Sequence, residues 1–336
     1  TSGAGCPARS IGNEGRQARR DIGAAFALRP CMTQPRNVRP NVTWFVTRRA
    51  TRRHFLFSPD QEGKVEQLYW YTTAVIAQRL DVSLHIMQLM SSHLHETLTD
   101  RRGVLPRFFE LRNRIFANAL KVLLGWPEEV FAKTPANWVE LSTPEAVIKQ
   151  MAYTAANCVE AGLVRTPRRW PGAKVLVDDV GRKTITVERP EGYFDPENPM
   201  WPERVSIPIE MPEILRDAFE TEQEARDAIQ AELDARIRKA HADNKREGRG
   251  YLGRKRVLKT PHTARASSFE RFGSRTPTFA AAGNSTVATE MVRRLRAFRA
   301  AYRDAWNAWK AGVRAIVFPY GTWKMRVYHG AVCEPP

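Results

Sequence analysis

The chain has 336 residues, 43% of them hydrophobic, and its 53 Lys and Arg against 36 Asp and Glu give a net charge of +17. A chain of this length can bury a core, and such a charge favours a polyanionic partner, nucleic acid first and an anionic membrane surface second. No stretch approaches about 18 uninterrupted apolar residues, which excludes a transmembrane helix. The four cysteines show no CxxC spacing, which excludes a zinc finger and a disulfide scaffold and fits a reducing cytoplasm.

Residues 1–41 are predicted to form a flexible basic arm. The first 40 residues are rich in Gly, Arg, Pro and Asn and show no sustained hydrophobic periodicity. The chain does not begin with Met, and Met32 is a candidate for the true start of translation. Under that hypothesis residues 1–31 do not belong to the natural protein, and peptides from them in the natural protein would contradict it.

Residues 42–172 are predicted to form an α+β domain. Apolar spacings of three and four residues indicate helices, and β-branched or alternating runs indicate strands. The predicted strands are 42–46, 82–90, 93–98 and 138–141, and the predicted helices are 59–80, 105–124 and 142–162. The last helix has the strongest start signal, a capping hydroxyl followed by Pro144 and Glu145. This order of elements fits an antiparallel sheet flanked by helices.

Residues 173–336 are predicted to form a basic, mainly helical extension. Residues 172–210 are strand-and-loop material, a helix runs from Pro212 to about Ala242, and residues 260–286 have the composition of a linker. A final helix carries an apolar stripe from Met291 to Trp309, which is interpreted as core packing. The glycine-rich segment 248–253 matches neither the Walker pattern nor the dinucleotide fingerprint, so no phosphate loop is assigned to it.

His93 and His95 are the candidate metal ligands. Alternate residues of a strand face the same side, so both imidazoles can bind one ion while Glu96 faces away. A hard ion such as Mg²⁺ or Mn²⁺ would also require oxygen ligands, for which Asn118 on the following helix is one candidate. The alternatives are that both histidines are polar strand positions facing solvent and that Asn118 is an exposed surface residue.

Four segments in chain order resemble the HUH-type tyrosine transposases, the small insertion-sequence and REP-associated single-strand DNA transposases. The segments are Val46–Arg49 with Arg52–Phe57, Leu89–His95, Tyr153–Val164 and Arg169–Pro171. The resemblance covers roughly residues 42–172, and the remainder is similar to the extension of some larger bacterial members.

This resemblance implies a ferredoxin-like HUH domain that cleaves and rejoins single-stranded or hairpin DNA. A tyrosine would attack the phosphodiester and form a 5′-phosphotyrosine, with a divalent metal, Mg²⁺ or Mn²⁺, polarising the scissile phosphate. It further implies a cytoplasmic, nucleoid-associated protein that works as a homodimer.

The expected nucleophile is missing from the helix that follows the histidines. Alignment with the family places the tyrosine at Ile115 or Phe116, and neither side chain has a hydroxyl. One alternative is a catalytically inactive, domesticated DNA-binding protein. Another is a different nucleophile, either Tyr153, Ser91, Ser92 or a metal-bound water, although packing is the expected role of Tyr153. The third is that the alignment of this helix is wrong.

Clusters of basic residues are the candidate DNA contacts, because phosphate contacts supply most non-specific affinity. The candidates are Arg48, Arg49, Arg52, Arg53, Arg101, Arg102, Arg254, Lys255 and Arg256. Trp44, Trp70 and Tyr251 could stack bases of a single strand, with core or turn packing as the alternative. A ribosome- or RNA-associated structural protein is a third hypothesis, supported only by the charge.

Overall fold

A five-stranded sheet forms the centre of the fold. The computed structural model describes residues 35–133, 136–267 and 277–336. The strands are β1 (Val42–Arg49), β2 (Val82–Leu89), β3 (His93–Asp100), β4 (Asn137–Leu141), β5 (Thr184–Glu188), β6 (Arg204–Pro208) and β7 (Phe279–Ala280). The central sheet has the strand order β2-β3-β1-β4-β7, and β5 and β6 form a separate antiparallel pair. The pairs β1–β3, β2–β3 and β1–β4 are antiparallel, whereas β7 runs parallel to β4. The α+β prediction is confirmed, but the sheet is mixed rather than purely antiparallel.

Helices cover both faces of this sheet. They are α1 (Lys64–Leu80), α2 (Leu105–Leu124), α3 (Pro144–Glu160), α4 (Glu213–Arg216), α5 (Glu222–Arg246), α6 (Arg254–Lys259), α7 (Ser285–Lys310) and α8 (Lys324–His329). Glu96 of β3 contacts Tyr69 of α1 and Arg112 of α2. Its neighbour His95 contacts Tyr153 of α3. Because adjacent strand residues point to opposite faces, α1 and α2 cover one face and α3 covers the other.

Two helix starts show how local sequence sets the boundaries. The Thr143 hydroxyl accepts a hydrogen bond from the Ala146 amide at 3.2 Å, and Pro144 occupies the first turn, so this predicted start is confirmed. The first helix begins at Lys64 rather than at residue 59. The Asp60 carboxylate accepts from the amides of Lys64 and Val65 at 3.1 and 2.8 Å, which caps the helix from a preceding turn.

The apolar core continues across residue 172, where the sequence predicts a domain boundary. Ile207 of β6 and Ile229 of α5 belong to the same buried cluster as Val46 of β1. The described residues from Arg36 onward form one compact unit. The helix expected over 212–242 is divided into α4 and α5, because Thr221 and Glu224 form a capping box that starts a new helix.

Described parts of the expected linker pack against the sheet. Phe279 and Ala280 form β7 on the edge strand β4, and the Phe55 amide donates to the Ala264 carbonyl at 2.9 Å. Residues 268–276 of this segment lie outside the described residues, as do residues 1–34 with the Met32 hypothesis and most of the predicted arm. On α7, Met291 and Phe298 are buried, in agreement with the predicted packing stripe. Within the described ranges, no helix has the length and apolarity that a membrane crossing requires.

Candidate active site

His93 and His95 lie at the start of β3 on the face that α3 covers. Their ring centroids are 4.8 Å apart, with the rings nearly perpendicular. Across the ladder, His95 pairs with Thr47 and His93 pairs with Arg49 of β1. Directly paired residues share a face, so the two imidazoles, the Thr47 hydroxyl and the Arg49 side chain occupy one side of the sheet.

The surroundings of His95 leave one ring nitrogen available. The ring stacks on Phe45 with centroids 5.6 Å apart, and Nδ1 lies 3.1 Å from Oγ1 of Thr47. Burial lowers the pKa of His95 well below its usual range, and the charges of His93 and Arg49 add to the effect. His95 is therefore neutral at physiological pH. Its Nε2 is buried and has no hydrogen-bond partner among the described residues.

His93 is held by a polar side chain on each of its ring nitrogens. Nδ1 lies 3.2 Å from Oγ of Ser92, and Nε2 lies 3.3 Å from Oδ1 of Asn157 on α3. Ser92 thus contacts the imidazole at the nitrogen remote from Asn157. The two contacts fix the ring so that Nε2 faces the helix.

Helix α3 brings Tyr153 and Asn157 to the histidine pair. Residues four apart in a helix share one face. The Tyr153 ring centroid lies 5.2 Å from that of His95, in an edge-on arrangement. Arg236 of α5 places its guanidinium carbon 5.5 Å from the same tyrosine ring. A phenol, two imidazoles, a carboxamide and a cationic group therefore converge at one end of the sheet.

The residues present fit a divalent metal. His95 offers a buried nitrogen without a hydrogen-bond partner in the described structure, and His93 and Asn157 direct Nε2 and Oδ1 toward each other. Nowhere in the described ranges do three His, Cys, Asp or Glu side chains group as metal ligands, so the third protein ligand would be the Asn157 amide oxygen. Two imidazoles with one oxygen donor form a mixed set of ligands that leaves positions for phosphate oxygens.

The positions expected to carry the tyrosine lie on the other side of the sheet. Phe116 is fully buried and packs against Phe57 and Tyr69, with ring centroids 5.9 and 5.8 Å away. Ile115 is half-buried in the same apolar layer, and Asn118 is exposed on α2. Because α2 covers the Glu96 face, none of these three side chains faces the imidazoles.

The arginines at the end of β1 and in the turn after it lie near the histidines, but they differ in orientation. Arg49 faces the histidine side, whereas Arg48 packs over the Phe131 ring with its guanidinium carbon 5.4 Å from the centroid. Arg52 and Arg53 occupy a turn beside Ser92, because the Ala50 amide donates to the Ser92 carbonyl at 2.8 Å. Arg52 is exposed and forms a surface ion pair with Glu128 at 3.4 Å.

The other predicted DNA contacts are divided between two locations. Arg101 and Arg102 follow the far end of β3, about 20 Å from His95 at the usual rise of a strand. Arg101 also forms ion pairs with Asp81 and Glu210. Arg254, Lys255 and Arg256 are exposed on α6, which begins close to the carboxyl end of α3.

Two of the predicted stacking residues are excluded by burial. Trp44 and Trp70 are 4% and 5% exposed and belong to the core, whereas Tyr251 is half-buried beside α6. Sequence reasoning missed Asn157 and Thr47. The available signal was the four-residue spacing of Tyr153 and Asn157 within a segment already matched to the transposases.

No protein-family model matches the chain, and no curated protein matches it significantly. Among solved structures, it is similar to a REP-associated tyrosine transposase bound to a REP hairpin. That similarity has a TM-score of 0.37 and 15% sequence identity, and it covers 43% of this chain and 82% of that chain. A similarity at this level carries no functional argument by itself.

Proposed function

We propose that the protein is a DNA transposase-like enzyme that binds single-stranded or hairpin DNA and cleaves one phosphodiester bond, with Tyr153 as the nucleophile. The observation that carries the proposal is the convergence of Tyr153 and Asn157 on His93 and His95. The β-α-β-β-α-β order of the first six elements, with strands ordered β2-β3-β1-β4, supports the ferredoxin-like assignment. The charge of +17 supports a nucleic-acid partner.

In this mechanism the phenol oxygen of Tyr153 attacks the phosphorus atom of the scissile phosphodiester. A bond forms between this oxygen and phosphorus, the bond from phosphorus to the 3′ oxygen breaks, and the 3′ oxygen leaves as a hydroxyl after taking up a proton. The proton of the phenol is lost to solvent. Arg49, which lies opposite His93 on the same face, would place positive charge beside the bound phosphate. Arg236 lies over the tyrosine ring, but it is ion-paired with Glu160 and Glu232 at 3.2 and 3.1 Å.

His93, His95 and Asn157 would hold the divalent metal, Mg²⁺ or Mn²⁺. When bound, the ion would polarise the phosphate and stabilise the leaving oxygen. Thr47 and Ser92 orient the imidazoles through their Nδ1 atoms. The homodimer implied by the family resemblance stays a prediction.

The test is a covalent-adduct assay. Labelled hairpin DNA from the flanks of the gene is incubated with protein and Mn²⁺ and then separated on a denaturing protein gel. The wild type is expected to give a labelled protein band. Tyr153→Phe is expected to give none and to retain DNA binding, because a phenyl ring cannot form a phosphoester. Tyr193→Phe is the matched control, since Tyr193 is half-buried in another part of the chain.

Each of the other outcomes would indicate a different mechanism. Cleavage without an adduct would assign the attack to a metal-bound water, and an adduct that persists in Tyr153→Phe would assign it to another side chain such as Ser91 or Ser92. DNA binding by the wild type without cleavage on any flank sequence would favour the catalytically inactive, binding-only protein. That alternative rests on the lack of a tyrosine at Ile115 or Phe116, and the position of Tyr153 weakens it.

A further inference from the structure

A basic pocket lies beyond the carboxyl end of α3, outside the site described above. Its volume is about 520 Å³, and it is lined by Val164, Arg165, Arg169, Tyr251, Gly253 and Arg254. This volume is within the range of about 300–1,000 Å³ that is usual for small-ligand sites. The lining residues come from two segments almost ninety positions apart, so the pocket exists only in the folded chain.

Backbone contacts hold the two walls of the pocket together. The Leu252 and Gly253 amides donate to the carbonyls of Gly162 and Leu163 at 2.9 and 2.8 Å. Gly253 has φ +87°, a backbone conformation that favours glycine, so the turn into α6 depends on this residue. On the other wall, the buried Trp170 indole donates to the Leu89 carbonyl at 3.0 Å and fixes the turn that carries Arg169.

The three arginines of the pocket carry charge without carboxylate partners. Arg165, Arg169 and Arg254 form no ion pair with any described residue, whereas the adjacent Arg168 is paired with Asp178. The Arg165 guanidinium carbon lies 5.8 Å from the Tyr251 ring centroid. The Tyr251 hydroxyl is buried and has no hydrogen-bond partner in the described parts of the chain. Guanidinium groups bind phosphate oxygens in a bidentate manner, and the three exposed arginines of the pocket can supply them.

A small apolar cluster connects the pocket to the histidine site. Tyr251 and Val164 pack in a small apolar cluster with Met90 and Cys158. The Met90 amide donates to the His93 carbonyl at 2.8 Å, and Cys158 directly follows Asn157 in α3. Asn157 lies three residues before the end of α3, which is about 5 Å at the rise of a helix, so a DNA strand bound at the histidines would extend toward the pocket.

We propose that this pocket binds a backbone phosphate of the DNA strand, next to the phosphate that is cleaved. The proposal rests on the proposed function, because it deepens the DNA-binding part of it. Free mononucleotides and inorganic phosphate share the same chemistry, so the test includes both as separate ligands.

The experiment measures the affinity of the full chain for a fluorescein-labelled oligothymidylate by anisotropy over a series of salt concentrations. Arg169→Ala and Arg254→Ala are compared with Arg168→Ala, which removes an exposed and ion-paired arginine from the same turn. Each pocket variant is expected to weaken Kd about tenfold. The slope of log K against log salt should become shallower by about 0.7 for each phosphate that the variant no longer binds. The Kd of the Arg168→Ala control should match that of the wild type. The Kd of Arg169→Lys should lie between those of the wild type and Arg169→Ala, since lysine keeps the charge but not the bidentate geometry.

The competing outcomes are separated by the same titrations and by thermal melting, which identifies any variant that is unfolded. If the pocket variants bind the oligonucleotide as tightly as Arg168→Ala does, the proposal is overturned. This result would not affect the proposed role of Tyr153, which the adduct assay tests separately. The proposal would also be overturned if binding of deoxythymidine monophosphate or inorganic phosphate depended on Arg169 and Arg254 while the salt slope of DNA binding did not. The pocket would then be a small-ligand site. A wild type that binds no DNA would overturn the proposed function and this inference together.

Discussion

Thr47 fixes the orientation of a proposed metal ligand through one hydroxyl group. Its Oγ1 lies 3.1 Å from Nδ1 of His95, and the opposite nitrogen is the buried one without a partner among the described residues. Partners that orient a metal-binding imidazole are commonly worth about 10–100-fold in affinity. We therefore expect Thr47→Val, which keeps the shape of the side chain, to weaken Mn²⁺ binding about 10–100-fold in calorimetry.

Thr97→Val is the matched control for this prediction. Thr97 lies two residues after His95 on the same strand and therefore on the same face, and its buried hydroxyl has no partner within the described structure. Its replacement should leave Mn²⁺ affinity unchanged. Equal affinities for the Thr47 variant and the wild type would show that the hydroxyl does not position a ligand, and His95→Ala would then test the ligand itself.

Individual site residues could be predicted from the sequence only where the signal is local. His93 and His95 are two apart on a strand, and alternation alone places them on one face. Asn157 is far from them in sequence, so no spacing rule joins it to the pair. Ile115 and Phe116, where the tyrosine was expected, lie on the opposite face of the sheet, and the sequence could not show this for a related reason. Periodicity shows which side of a helix is apolar, but the face of the sheet that the helix covers depends on the path of the whole chain.

At the scale of elements, a buried ion pair joins β3 to α2, and a tyrosine of α1 donates to the same carboxylate. Arg112 donates to both carboxylate oxygens of Glu96 at 2.6 and 2.8 Å, and both side chains are fully buried. Burial raises the pKa of Tyr69 well above its usual value, so Tyr69 remains a donor to the same carboxylate. Glu96→Gln leaves the Arg112 charge uncompensated. It should lower the free energy of unfolding by about 3–5 kcal/mol in urea titrations.

The control for the buried pair is an ion pair of the same type on the surface. Glu290 of α7 forms a bidentate ion pair with Arg293 at 2.9 and 3.0 Å, and both side chains are more than half exposed. Glu290→Gln should cost about 0–1 kcal/mol. A Glu96→Gln variant as stable as this control would mean that water or a rearrangement relieves the charge of Arg112. The triple change Glu96→Leu, Arg112→Met and Tyr69→Phe should recover stability, because the Tyr69 hydroxyl loses its acceptor with Glu96 and apolar groups need no partner there.

His85 makes the contact between β2 and the extension sensitive to pH. Its Nδ1 lies 2.8 Å from the Glu210 carbonyl oxygen, its Nε2 lies 2.8 Å from Oγ1 of Thr99, and burial lowers its pKa from 6.5 to about 4. Below pH 6.5 the unfolded chain gains a proton that the folded chain resists. Stability should therefore fall as the pH drops from 6.5 to 4, by about 3 kcal/mol in total from this residue.

To isolate this effect, the free energy of unfolding is measured for the wild type and for His85→Gln at about pH 7 and at about pH 4.5. These two pH values enclose most of the titration of His85. The variant should lose less stability over that interval than the wild type. His329→Gln, at an exposed position on α8, should show the wild-type pH dependence. Parallel curves for the wild type and His85→Gln would mean that folding does not lower the pKa of His85.

The sequence predicted the elements of the first half closely, because their signals are local caps and alternation. The strand β3 and the helix α2 begin at the predicted residues. The extension was harder to predict, because its contacts connect distant parts of the chain. Ile209 forms a bridge to Leu84 of β2, and the short strand β7 adds to β4. A two-residue strand has no hydrophobic periodicity of its own. Its Ser- and Gly-rich surroundings therefore predicted a linker and not a strand.

For the whole molecule, net charge predicts a polyanionic partner, but it does not identify the surface that binds it. Many arginines are neutralised or packed, such as Arg101 beside Glu210 and Arg48 over Phe131. The glycine-rich segment 248–253 illustrates the same limit. It matches neither the Walker pattern nor the dinucleotide fingerprint, and only folding places Tyr251 beside Arg165 and Arg169.

The distribution of these charges leads to a prediction about the salt dependence of DNA binding. Arg49, Arg52 and Arg53 lie at the end of the sheet that carries the histidines, whereas Arg101 and Arg102 lie at the opposite end. Replacing the first three by Ala should weaken binding to all single-stranded sequences alike. The slope of log K against log salt should become shallower by up to about 2, at about 0.7 for each phosphate contact.

Arg101→Ala with Arg102→Ala is the control, because it also removes exposed positive charge from the chain. If long-range attraction by the net charge were responsible, both sets would change the slope in proportion to the number of charges removed. If DNA lies against the histidine end, only the first set should change it, and Arg48→Ala should have little effect because that side chain packs on the opposite face. Anisotropy titrations between about 50 and 200 mM salt, the interval over which phosphate contacts change affinity most visibly, therefore locate the DNA on the molecule.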